Sequence, residues 1–392
     1  MRLFKDPDLA ILLSVVMFAV TGGSLVGPIL PEMISPLEAT QKSIGWALSV
    51  YTLFAMLATP LLGVVADRAG RKRVIVPATL LFGVAGLLIA FSRSFWLVLV
   101  LRALQGIAVG GIMNSVVAAL GDRYTGVARN RAMGYRVTAQ SLTNAFIPFV
   151  AGVLATIAWF VPFFIHALAV PAGIVAAFGL QETGKKGGRS EGYIPRTLSA
   201  LANLRAIWLF FSNFMGYFLL YCIVVYMPIH VVRGFSLTTG HAGLAMSVGA
   251  GVVSLSASQA ARLRNLFSEG KLVFAGLAAC GLALFCIGLS WSYTSLLAIM
   301  LLWGLGFGTF MPALNAAAAG LASAELRAGV LSVFTLLLYL GQTLSPPFFA
   351  LFIGEETVRG AFFAGGAASL LPLLVTLAVM LKGSAPERDH PG

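Results

Sequence analysis

The chain has 392 residues, 59% of them hydrophobic and only 10% charged, with a formal net charge of +12. Soluble domains are roughly 25% charged, so this composition excludes a soluble globule. The basic residues are spread over many short loops rather than gathered on one face, which also excludes a nucleic-acid-binding surface.

From the amino terminus onward, apolar runs occupy residues 9–31, 44–66, 74–92, 96–120, 133–157, 160–180, 206–230, 240–261, 271–290, 294–321, 328–353 and 360–382. Each is long enough to cross about 30 Å of hydrocarbon as a helix. The runs are continuous rather than alternating, and a backbone in lipid must satisfy its own hydrogen bonds. The predicted class is therefore an all-α membrane protein with twelve transmembrane helices. The start, "MRLFKDPDLAILLSVVMFAV", has Asp6 and Asp8 in its flank and no small-x-small cleavage site, so it reads as an uncleaved first helix. With both termini in the cytoplasm, the outer loops receive only Lys42, Arg93, Arg233 and Arg359, and Arg102 falls inside a span. Every other Lys and Arg, with Arg136 counted at the foot of the fifth helix, lies inside, which is the positive-inside bias. Cys222, Cys280 and Cys286 fall within spans without metal-ligand spacing and read as small apolar residues.

The hydrophilic stretch 181–205 separates a six-helix half, 1–180, from a second, 206–392. Gly106-x-x-x-Gly110-x-x-Met113 in the fourth helix returns as Gly304-x-x-x-Gly308-x-x-Met311 in the tenth. Asn144-x-x-x-Pro148 in the fifth is echoed at the same offset by Gln342-x-x-x-Pro346 in the eleventh, and Arg131-Ala132 by Arg327-Ala328 at nearly that offset. Three matches on corresponding helices predict pseudo-symmetric halves related by an axis along the membrane normal, with a binding site between them near the midplane.

Gly63-x-x-x-Asp67-Arg68-x-Gly70-Arg71-Lys72, between helices two and three, resembles the signature loop of the major facilitator superfamily. Arg102-x-x-Gln105-Gly106 resembles the family's second motif, and the six-plus-six plan covers the whole chain. The resemblance implies a secondary transporter working by alternating access, without a cofactor, usually as a monomer, in a bacterial-type inner membrane. It also implies that Asp67 meets the amino terminus of helix eleven and that the loop latches the cytoplasmic side. Gly70 permits a tight turn that folds Arg71 back toward an acid, and Asp122 is the best placed. Helix five departs from the Gly-Pro-x-x-Gly-Gly of the drug antiporters: Ile147-Pro148-Phe149-Val150-Ala151-Gly152 keeps Pro148 and Gly152 only. The signature is also lost from the second half, where Arg262 replaces the aspartate.

A charge inside a span is a functional candidate by default. Arg102 is the one clear case, with two readings: an outer-mouth pair with Glu32, or bonds to carbonyls of helix one. Glu32 and His166 are the titratable groups nearest the interior, His166 reading as a buried, hydrogen-bonded residue and His230 and His241 as solvated. Coupling therefore falls to Arg102, Gln105 and Glu32, with protons as the coupling ion or no coupling at all. Asn114, Asn144, Asn213, Tyr217, Tyr221, Asn315, Tyr339 and Gln342 sit at interior depth and are the cavity candidates, with Pro148, Gly152 and Pro346 as hinges. Amides, tyrosines and many of the 28 phenylalanines suit a small neutral or lipophilic solute rather than a polyanion. No His-Glu-x-x-His, aspartate-rich or Ser-His-Asp set suggests an enzyme, and "GLGFG" lacks the strand of a nucleotide loop. The expectation is proton-coupled export of a drug or metabolite. Uptake or facilitated movement of a neutral or lipid-like molecule is the alternative, and a non-transporting sensor is a further one.

Overall fold

A computed structural model describes residues 6–183, 204–321, 327–354 and 357–383. Most of the predicted 181–205 segment, and the side chains of Arg327 and Ala328, lie outside the described residues. Among the described residues, twelve helices are long and apolar enough to span a bilayer. They are α1 (Pro7–Ile34), α2 (Trp46–Ala69), α3 (Lys72–Ile89), α4 (Phe95–Arg123), α5 (Gly126–Ala155) and α6 (Val161–Gly179), then α7 (Leu204–Gly234), α8 (Thr239–Ser258), α9 (Glu269–Leu289), α10 (Tyr293–Gly320), α11 (Gly329–Phe352) and α12 (Arg359–Leu381). The largest boundary error in the sequence reading is at α5, which starts at Gly126 rather than 133. Its first turns are polar because they project beyond the hydrocarbon, so hydropathy alone does not see them.

The outward surface carries exposed Leu61, Val65, Trp96, Phe178 and Leu374, as expected of helices facing lipid tails. Inside each half, glycines let backbones touch. A side chain at Gly106 or Gly110 would collide with the α2 backbone at Tyr51 or Ala55, and one at Gly304 or Gly308 with the α8 backbone at Gly249 or Val253. These are small-residue contacts of the kind that pack helices where burial against lipid gains nothing.

The two sets of six helices meet through α2 with α11, α5 with α8, and α1 with α7 and α8. We call the side holding the start of α1 and the end of α2 the basic side and the opposite one the far side. At the far side the junction is dry: Leu25, Val26, Ile29, Leu30, Met33, Ile44, Leu48 and Val225 are fully buried. Thr52 and Thr343 share a hydrogen bond of 2.9 Å, the Phe149 amide donates to Ser247 Oγ at 3.1 Å, and Thr239 Oγ1 donates to the Gly152 carbonyl at 3.0 Å. Towards the basic side Asn114 is half-buried and Asn315 exposed.

The base of α1 is fixed to α4 by a charged cluster. Asp6 caps α1 by accepting from the Asp8 amide at 3.1 Å, and accepts from the Tyr124 hydroxyl at 2.6 Å and from Arg123 at 3.3 Å. Arg123 also pairs with the buried Asp8. Burial alone would raise the Asp6 carboxyl, but the bonds from Tyr124 and Arg123 outweigh it and hold the group below its usual range. A carboxyl depressed on folding contributes stability above its unfolded pKa and loses it as pH falls through the folded value. Acidification below pH ~4 is therefore expected to weaken this corner, and Asp6→Asn to lower stability at pH 7 while flattening the acid limb of the unfolding curve. Unfolding temperature against pH for both proteins checks it; identical acid limbs would remove Asp6 from the account.

Candidate functional site

Between the halves lies a cavity of about 400 Å³. Its polar lining comes from Ser24 on α1, Tyr51 on α2, Gln140, Ser141 and Asn144 on α5, Tyr217 and Tyr221 on α7, Ser254 on α8, and Tyr339 and Gln342 on α11. Its apolar lining includes Met113, Met246, Met300, Trp303 and Phe307. Pro148 and Pro346 each leave without a partner the carbonyl one turn earlier, at Asn144 and Gln342. Trp303 stacks on Phe307 with ring centroids 5.8 Å apart, and Tyr217 meets Phe307 edge-on at 5.8 Å. The result is a flat aromatic wall facing a band of amides and hydroxyls, with no Asp, Glu, Lys or Arg among the residues that line it.

Arg102 lies beside this cavity, fully buried. Its Nε donates to the Ala47 carbonyl at 3.0 Å, Nη2 to the Gly22 carbonyl at 2.6 Å, and Nη1 to Gln105 Oε1 at 2.8 Å. The guanidinium also stacks 4.2 Å above the Tyr51 ring, which faces the cavity from its other side. One side chain thereby joins α4 to the bends of α1 and to the start of α2. Gln105 carries the network on, its Nε2 donating to the Phe82 carbonyl at 3.3 Å and lying 3.2 Å from His166 Nδ1. His166 is fully buried between Phe82 and Phe163. Of the two readings of Arg102, the one with helix-one carbonyls describes the structure. Glu32 is half-buried, and the Arg102 guanidinium donates instead to one carbonyl on α1, one on α2 and the Gln105 side chain.

The signature loop is held together within the first half. Arg71 pairs with Asp67 and donates from Nε to Asp122 Oδ2 at 3.2 Å. Gly70 sits at φ +112°, a backbone region reserved for glycine. Glu182 closes the turn by accepting from the Lys72 amide at 3.0 Å, capping the start of α3. A side chain at Gly70 would run into that carboxylate. Arg68 and Arg73 are exposed, and Gly63 faces Asn114 across α2 and α4.

The eight cavity candidates divide. Asn144, Tyr217, Tyr221, Tyr339 and Gln342 line the cavity. Asn114 donates to the Thr59 carbonyl at 3.3 Å, Asn213 is fully buried against the Phe334 carbonyl at 2.7 Å, and Asn315 turns back on the Met311 carbonyl at 2.9 Å. These three hold backbone rather than face the central space. The proposed hinges sit at the junction of the halves: Gly152 touches Thr239, Pro148 touches Gly243, and Pro346 touches Gly45. Sequence reasoning missed Gln140, one turn before Asn144 on the same face, and the aromatic wall of Trp303 and Phe307. His230, expected in solvent, is only 2% exposed, with Nε2 3.2 Å from Ser290 Oγ and its ring against Phe235 and Phe362. The wide π-helical turn His230–Gly234 at the end of α7 swings it inward.

The arrangement agrees with its relatives. The chain is 24% identical over 396 residues to the bacillibactin exporter of Bacillus subtilis (strain 168), covering 96% of this chain and 97% of that protein. It is 31% identical over 179 residues to multidrug resistance protein 1 of the same organism, covering 45% and 46% of the two chains. Among solved structures, a bacterial homologue of the human lysosomal transporter Spinster, inward-facing and occupied, superposes with a TM-score of 0.80 at 16% identity, covering 96% of each chain. A point mutant of the nucleoside transporter NupG does so at 0.79 and 14% identity, over 94% of this chain and 98% of that one. The family model described as Major Facilitator Superfamily matches residues 12–346 and 209–392. Twelve helices, the signature loop and these matches together make the chain a member of the Major Facilitator Superfamily, a multi-pass membrane transporter rather than an enzyme.

Proposed function

We propose that the chain is a proton-coupled exporter of a small neutral or lipophilic solute, acting as a monomer in a bacterial-type inner membrane with both termini cytoplasmic. The observation that carries this is the cavity between the halves, sealed at the far side and lined by aromatic rings, amides and hydroxyls. With the basic side in the cytoplasm, as the charge bias of the loops favours, the conformation is inward-facing and receives solute from the cytoplasm or the inner leaflet. The exporters among its relatives support the direction. The two six-helix sets, 1–180 and 206–392 joined by 181–205, act as the rocking bodies. The signature loop with Asp67, Arg71 and Asp122 latches the basic side in the alternate state, and Arg102 with Gln105 couples the solute to the proton.

Uptake or facilitated movement of a neutral metabolite is the second reading. It is favoured by the missing glycines of α5 and by a lining without a carboxylate to carry a proton. Everted vesicles energised acid-inside, with a panel of lipophilic fluorophores, separate the two. Accumulation that collapses when the gradient is dissipated, and that Arg102→Ala and Asp67→Asn both impair, is the expected result. No accumulation by folded, inserted protein would remove export and leave the uptake reading.

A further inference from the structure

Arg136 carries a buried guanidinium nitrogen that has no hydrogen-bond partner among the described residues. The helix begins at Gly126, so Arg136 lies about 15 Å along it, near the start of the apolar run at 133. It shares one face with Gln140 and Asn144, stepping by four, and both of those line the cavity. Arg136 Nη1 donates to Gln140 Oε1 at 2.7 Å, and its Nε is buried with no partner among the described residues. None of the ion pairs formed by the described residues includes it, and no carboxylate lines the cavity it adjoins. Arg102, the other guanidinium in the spans, has all its nitrogens committed to carbonyls and Gln105. A guanidinium partly withdrawn from water and without an ion-pair partner among the described residues is costly, and the group that relieves it is an oxyanion matching its planar fork.

The second half does not repeat this feature. At the offset that matches Asn144 to Gln342, Arg136 falls opposite Phe334 and Gln140 opposite Leu338. The surroundings of the cavity are therefore asymmetric: Arg136 lies one turn beyond its α5 lining, bonded to the lining Gln140, and aromatic rings of α7, α10 and α11 form its body.

We infer that Arg136, with Gln140 and Asn144, forms a subsite for a single anionic group, so that the solute is an amphipathic organic acid: a flat apolar body with one carboxylate or comparable oxyanion at its end. This rests on the reading of the cavity as the solute site and narrows it from lipophilic solutes in general to monoanionic ones. A lipophilic cation meets no counter-charge in this cavity and is a poor ligand. A polyanion finds only one cation.

The test is isothermal titration of the full chain in lipid nanodiscs with 2-naphthoate and, as its uncharged match, 2-naphthamide, empty nanodiscs serving as the blank. The wild type binds naphthoate at least ~10-fold more tightly. Arg136→Gln reduces naphthoate to the level of naphthamide while leaving naphthamide unchanged, and Arg136→Lys keeps part of the preference. Three results would overturn the inference: no preference for the acid, no naphthoate binding to folded wild type, or an equal loss of both ligands in Arg136→Gln, which marks a structural residue. The same pair is then offered to proteoliposomes. Preferential binding without movement refutes the transport reading and leaves the subsite standing, whereas movement without preference does the reverse.

Discussion

Arg102→Met abolishes transport and destabilises the protein more than the loss of any other polar side chain described above. The substitution keeps most of the volume but leaves the Ala47 and Gly22 carbonyls and Gln105 Oε1 without their donor at a fully buried site. Bonds to a charged donor are each worth about 1.5–3 kcal/mol and an orphaned buried acceptor costs about 1–3 kcal/mol. Loss of three such partners, partly relieved by relaxation, gives an expected destabilisation of about 3–5 kcal/mol. Arg102→Lys keeps the charge but not the fork; it reaches one or two of the three acceptors and falls between the wild type and Arg102→Met. Reversible unfolding in bicelles measures both. A change for Arg102→Met smaller than about 1 kcal/mol would mean that the network does not hold α1, α2 and α4 together.

Gly243→Val prevents closure of the far side. The α8 backbone at Gly243 lies against the Pro148 carbonyl of α5, and one turn away Gly152 lies against the Thr239 carbonyl, so an added side chain at Gly243 meets backbone rather than a movable group. Overpacking of this kind costs about 1–3 kcal/mol. The cost is borne only by the state in which these surfaces touch, and it shifts the balance of the two states about 5- to 150-fold. Transport falls with it. The direct reading is a cysteine at Leu30, fully buried in the sealed end, probed from the far side by a membrane-impermeant maleimide. Labelling rises steeply in Gly243→Val over the Leu30→Cys background. Unchanged labelling with lost transport would show that the defect lies elsewhere.

The twelve spans were legible because length and continuity of apolar sequence are what a bilayer demands. The packing glycines were legible because a repeat at one offset exposes them. The contact of Arg71 with Asp122 followed from a turn that only glycine allows. What sequence could not show was the direction of each polar side chain around its helix. Asn213 and Tyr217 lie one turn apart, yet the amide turns to the Phe334 backbone and the phenol to the cavity. For Arg102 the sequence left two partners open, Glu32 or helix-one carbonyls, and the structure gives one carbonyl on α1 and one on α2. The start of α5 was read seven residues late because hydropathy detects where lipid begins, not where the helix does. His230 was misjudged because a wide helical turn rotates the following residues in a way no periodicity predicts.

The glycine contacts of α2 with α4 and of α8 with α10 bear on how the molecule can move. A surface made of backbone has no rotamers to lose on assembly and none to adjust under load. Such pairs do not slide by degrees, so each half keeps its inner frame while the molecule changes shape. The displacement then falls on the remaining surfaces, α2 against α11 and α5 against α8, and on the proline bends between them. Motion confined to a few surfaces that are either made or broken is cooperative, and exchange between the two shapes is expected as one microsecond-to-millisecond process shared by probes on every helix of a half.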